Sequence, residues 1–82
     1  MKNKLTPYIE YHPNGNVCIK GQKNSKGQRE GIWEFFYENG NIRVRTPYKE
    51  GEIDGIEEFD EQGNITLTRH WKDGKLIEET KH

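Results

Sequence analysis

Alanine is missing from these 82 residues, and there is a single cysteine, Cys18. One cysteine rules out an internal disulfide and any zinc site built on paired cysteines; Cys18 reads as a small, partly buried strand residue and not as a nucleophile. Leu, Ile, Val and Phe together supply only 16 residues, close to the level at which chains stay disordered. No apolar run approaches transmembrane length, and the polar stretch 1–8 does not resemble a secretory signal, so a cytoplasmic address is expected. A large excess of one charge is also lacking: the formal net charge is −1, which argues against disorder and against a uniformly basic nucleic-acid face. At this length the chain makes one domain at most, too small for two lobes around a cleft.

What is present is a repeat. Three Gly-Asn-(β-branched) steps occur, at Asn14-Gly15-Asn16-Val17, Asn39-Gly40-Asn41-Ile42 and Gln62-Gly63-Asn64-Ile65, with glycines 25 and 23 residues apart. A second series, Lys26-Gly27, Glu50-Gly51 and Asp73-Gly74, runs between them with spacings of 24 and 23. Side chains keep the same period. Four residues before the first-series glycine stand Tyr11, Phe36 and Phe59; seven before it, Tyr8, Trp33 and Ile56; eight after it, Lys23, Tyr48 and Trp71.

Glycines break the chain every ten to fifteen residues and no 3.6-residue stripe survives, so helix is disfavoured. Ile42, Val44 and Thr46 alternate with Arg43 and Arg45, the period of a strand with chemically opposed faces. Strands are expected near 8–12, 16–21, 29–37, 41–48, 53–59, 64–71 and 75–79. Asn39-Gly40 suits a type I′ hairpin turn, in which both central residues take positive φ, whereas the polar run 22–28 reads as a looser loop. Pro13 and Pro47 fit a turn and a strand end.

The period, the glycine turns and the aromatic–x–x–glycine steps resemble the MORN repeat, the membrane occupation and recognition nexus motif, and in particular its bacterial variant, found in small antitoxin-like proteins. Gly31, Trp33, Phe36, Asn39-Gly40, Tyr48, Gly51 and Gly55 carry the likeness in the second unit. Phe59, Gly63, Trp71 and Gly74 carry it in the third. The first keeps Tyr8, Tyr11, Gly15, Gly27 and Gly31 but lacks an aromatic before Gly27. The resemblance implies an all-β fold, an elongated single-layer antiparallel meander of tandem hairpins. Residues 1–82 then form one domain of three units, about 8–30 (degenerate), 31–54 and 55–79. It also implies a scaffold for protein contact, sometimes for phospholipid, and no shared catalytic residues.

Nothing in the sequence assembles catalytic chemistry. His12 lies beside a turn, His70 on a strand and His82 at the end, and all three read as solvent-exposed bystanders. Glu57, Glu58, Asp60 and Glu61 lack any cation-loop spacing, and the glycines do not form a phosphate loop. No enzyme, metal or cofactor is expected. Residues 1–49 carry nine Lys/Arg against four Asp/Glu, residues 50–82 four against ten, a polarity suited to cross-strand ion pairs or to orienting a partner. Glu57 and Glu58 are expected to pair with Arg43 and Arg45, which leaves little positive potential for nucleic acid. The expected function is a non-catalytic protein-binding module, possible antitoxin-like neutralisation of a partner included, with binding residues drawn from Trp33, Tyr37, Arg43, Arg45, Tyr48 and Trp71, aromatics and arginines being the residues of interface hot spots. The alternatives are a self-assembling structural repeat, hence a homo-oligomer, and a phospholipid-headgroup binder; a basic half that ends in an acidic one disfavours the membrane.

Overall fold

Short strands bounded by glycine turns leave hairpins as the unit of structure, and the computed structural model, which describes residues 4–72 and 74–82, is built of nothing else. Its strands are β1 (Thr6–Tyr11), β2 (Val17–Lys23), β3 (Arg29–Phe36), β4 (Ile42–Lys49), β5 (Glu52–Ile53), β6 (Gly55–Phe59), β7 (Ile65–Lys72) and β8 (Lys75–Lys81). They form one antiparallel sheet in the order β1-β2-β3-β4-β6-β7-β8, with the two-residue β5 paired to β4. The sheet is not closed, so β1 and β8 are free edges. The plate measures 42 × 36 × 14 Å. No helix or second layer is present among the described residues.

A single layer buries little. Trp33 is the one fully buried apolar side chain among the described residues, and its position follows from a glycine. Tyr8 pairs with Gly21 and Trp33 with Thr46, and the indole lies across Gly21, where an added Cβ would sit 2.2 Å from the ring. Its Nε1–H donates to the Gln22 carbonyl at 3.0 Å, so the buried polar atom has a partner. Burying such a side chain contributes roughly 4–6 kcal/mol at about 25 cal/mol per Å². Beside it Thr46, 3% exposed, donates its hydroxyl proton to the Gly55 carbonyl, which ties the second unit to the third.

The first-series turns differ from the expected type I′ geometry. Gly15, Gly40 and Gly63 have φ of +93°, +94° and +92°, but Glu50 is the only non-glycine with positive φ among the described residues. Asn39 therefore lies at negative φ. Tyr37 N–H donates to Asn41 O at 2.8 Å and Gly40 N–H to Tyr37 O at 3.0 Å, which closes a three-residue loop with glycine alone in the left-handed region. The Asn39 side chain accepts Asn41 N–H at 2.8 Å, an Asx turn that holds this shape. The same requirement explains why Gln62 can replace Asn before Gly63. Type I′ geometry occurs instead at Glu50-Gly51 (φ +51° and +87°), where Lys49 pairs directly with Glu52.

Segment 22–28 is tighter than its polarity suggests. Strand β2 runs to Lys23, and Asn24 is 6% exposed. Its Oδ1 accepts the N–H groups of Lys26 and Gln28 at 2.9 and 3.0 Å, so one buried amide organises the whole turn. Of the pair Asp73-Gly74, Asp73 lies outside the described residues; Gly74 has φ +78°.

Candidate functional site

Strand alternation sorts the side chains onto two faces, and the residues expected to bind do not form one patch. Trp33, Tyr48 and Trp71 fall on the same face, toward the second-series turns. Trp33 is fully covered and acts as core. Tyr8 stacks on it at 5.4 Å between ring centroids, and Tyr48 meets it edge-on at 6.1 Å. Arg29 closes this group from outside, its guanidinium carbon 4.5 Å from the Trp33 ring and 5.3 Å from the Tyr48 ring. One of its N–H groups donates to the Tyr48 hydroxyl at 3.0 Å. Lys23 lies over Tyr8 at 4.6 Å. The Tyr8 hydroxyl donates to the Glu10 carboxylate, a bond that raises the phenol's pKa above its usual value. The result is a shelf of aromatic rings capped by the chain's own cations.

Trp71 stands eight residues after its turn glycine, as Tyr48 does, but is not capped. It is partly buried, and its backbone N–H donates to the Asp54 carbonyl at 2.7 Å. Together with Glu52, Ile53, Asp54, Lys72 and Gly74 it lines an open pocket of about 680 Å³. No cation lies over the Trp71 ring among the contacts of the described residues.

The remaining three lie elsewhere. Arg45, on the opposite face, reaches Glu34 at 3.8 Å and Glu57 at 3.6 Å, the cross-strand pairing expected for Glu57; Glu58 makes no ion pair among the described residues. Partly exposed pairs of this kind contribute about 0–1 kcal/mol each. Arg43 is exposed at the point where the β3–β4 register skips from Val44 to Ile42. On Arg45's face Ile9 and Ile32 are 44% and 60% exposed, and with Pro7 they line a shallow apolar groove of about 290 Å³.

Tyr37 belongs to the other end of the plate, to a ladder that the sequence reading missed. His12 Nε2 donates to Phe36 O at 2.8 Å, and the Nδ2 groups of Asn14 and Asn16 both donate to Glu38 O, at 2.8 and 2.7 Å. One unit on, Tyr37 hydroxyl donates to Phe59 O at 2.8 Å, and Asn39 and Asn41 donate to Glu61 O at 2.9 and 2.7 Å. His12 is thus a link between units and not a bystander. The signal was present in the repeated Asn-Gly-Asn, whose second asparagine has a side chain with no role in a hairpin considered alone. The third turn breaks the pattern: Asp60 accepts the N–H groups of Gln62 and Asn64 at 2.9 Å each. The donated Asn64 N–H is the main reason the Asp60 carboxyl titrates below its ordinary value.

The first two units, which send equivalent hydrogen bonds to the next turn, agree with a comparison at the level of families: residues 6–22 and 29–50 match the MORN repeat variant. Those two stretches are similar to MORN repeats. The matched stretches fall largely within the first two hairpin units, and residues beyond 50 continue the same sheet and receive the turn ladder from Asn39 and Asn41. No curated protein and no solved structure gives a significant match. Among the described residues no cluster of His, Cys, Asp or Glu could hold a metal ion, and no helix is long and apolar enough to cross a membrane.

Proposed function

We propose that this MORN repeat plate is a non-catalytic module that binds another protein in the cytoplasm. The observation that supports this reading is the amount of apolar surface the fold leaves open. Ile9, Tyr11, Ile32, Leu76 and Ile77 are 44–62% exposed, although the chain has few apolar residues to spare. A monolayer offers both faces and two edges to a partner. The family match names the repeat and no toxin, so neutralisation of a toxin is only one form such binding could take.

Photo-crosslinking from Ile32 and from Leu76, in the full chain in its native host, tests the proposal. A discrete protein adduct, competed by unlabelled chain, is expected; adducts to lipid alone, or none, would overturn it. A self-assembling reading has its own support. Strands β1–β4 lie in the half with five excess positive charges and β5–β8 in the half with six excess negative ones, and both edges are free. Sedimentation of the purified chain at low and high salt checks it: a salt-sensitive oligomer favours self-association, and a monomer at both excludes it.

A further inference from the structure

The second and third units place an aromatic ring at the same point, and among the described contacts only one of the two rings has a cation over it. Over Tyr48 the covering group is Arg29, which stands two residues before Gly31 in the sequence Gly31-Ile32. The corresponding Gly55-Ile56 of the third unit is preceded two residues earlier by Ile53, with Glu52 before it and Asp54 after it. The cation that fills the site from within is therefore replaced by one aliphatic residue between two acids. The space it would occupy is the open pocket floored by Trp71. Its lining among the described residues includes two acidic residues, Glu52 and Asp54, neither in an ion pair among those residues, and one basic residue, Lys72.

We propose that this pocket receives an arginine side chain of the partner protein, laid on the Trp71 indole as Arg29 is laid on Trp33 and Tyr48. The chemistry follows from the two sites side by side. In the second unit the guanidinium has a ring face beneath it and one acceptor, the Tyr48 hydroxyl. Trp71 offers a better π face but no acceptor, and Glu52 and Asp54 supply carboxylates, whose planar pairs of oxygens match the guanidinium fork. The acidic half of the plate draws a basic segment toward the pocket. The inference rests on the protein-binding reading above and gives that partner a chemical requirement.

The test needs no identified partner. The full-length chain, labelled with ¹⁵N, is titrated with a capped hexapeptide containing one arginine and otherwise Gly and Ser, and with the same peptide carrying norleucine. The indole N–H signals of Trp71 and Trp33 are followed, the buried Trp33 reporting on the fold. A saturable shift of Trp71 alone, seen only with arginine, is expected. Glu52→Gln/Asp54→Asn should weaken it at least fivefold, and Ile53→Arg, which supplies the cation from within, should abolish it while leaving the Trp33 signal in place. No Trp71 shift, an equal shift with norleucine, or full binding by either variant overturns the proposal. So does a Trp71 shift caused by phosphatidylcholine vesicles but not by the arginine peptide. The two readings fail separately: a negative titration beside a genuine protein crosslink removes the arginine pocket alone, and a positive titration without any crosslinked protein removes the protein-binding reading.

Discussion

The second unit is finished and the third is not. At one end of the plate Arg29 covers the rings of the second unit, while Trp71 in the third faces an open pocket. At the other end Tyr37, Asn39 and Asn41 reach across to the next turn, while Asp60, Gln62 and Asn64 stand in their places and Asp60 bonds back into its own loop. Stability should therefore concentrate in the first two units and binding capacity in the third.

The largest effect should come from the core. Trp33→Ala, or Gly21→Val, which drives a side chain into the indole, should each cost roughly 3–5 kcal/mol. Trp71→Ala should cost less than half of that, read from urea midpoints at constant m. Equal losses at Trp33 and Trp71 would break the comparison. Next comes the ladder. Asn39→Ala removes the Asx bond and the bond to Glu61 O and should cost about 1–2 kcal/mol, whereas Gln62→Ala, at the equivalent position, should stay within about 0.5 kcal/mol.

A smaller effect depends on pH. The Asp60 carboxyl titrates below its ordinary value near 3.8 because it accepts backbone N–H groups. Its contribution is therefore fully present above that ordinary value and is lost as pH falls through the lower, folded one. The stability difference between the native chain and Asp60→Asn should be constant above about pH 5 and shrink on acidification below about pH 4; a difference that persists to pH 2 would remove Asp60 as the clasp of the third turn. The smallest effect should be a gain: Glu50→Asn, which suits the positive φ at the type I′ turn, should add up to about 1 kcal/mol, measured as a rise in melting temperature.

Much of the fold was legible because glycine turns and a period of two are local signals. Strand positions and a meander follow from Gly15, Gly40, Gly63 and the alternation through Ile42–Thr46. The turn type at Asn39-Gly40 was not, because two adjacent residues compatible with positive φ are also compatible with glycine alone taking it, and the hydrogen bond to Asn41 selects between them. Polarity misled at 22–28, where Asn24 satisfies itself in the turn and is buried. The site was less legible than the fold. An aromatic at a given offset carries no mark of whether a neighbour covers it: Trp33, Tyr48 and Trp71 look alike in sequence, and Arg29, three strands from Trp71 in the sheet, separates their roles.

The sequence by itself determined a repeated hairpin, the location of its turns and the poverty of its core, since each of these depends on residues close in the chain. Only the tertiary structure decided which aromatic is core and which is surface, that His12 and the paired asparagines bind unit to unit, and that the third unit keeps its pocket open. Those outcomes depend mostly on groups 11 to 24 residues apart, brought together by strand register, and a register is a property of the sheet and not of any single strand.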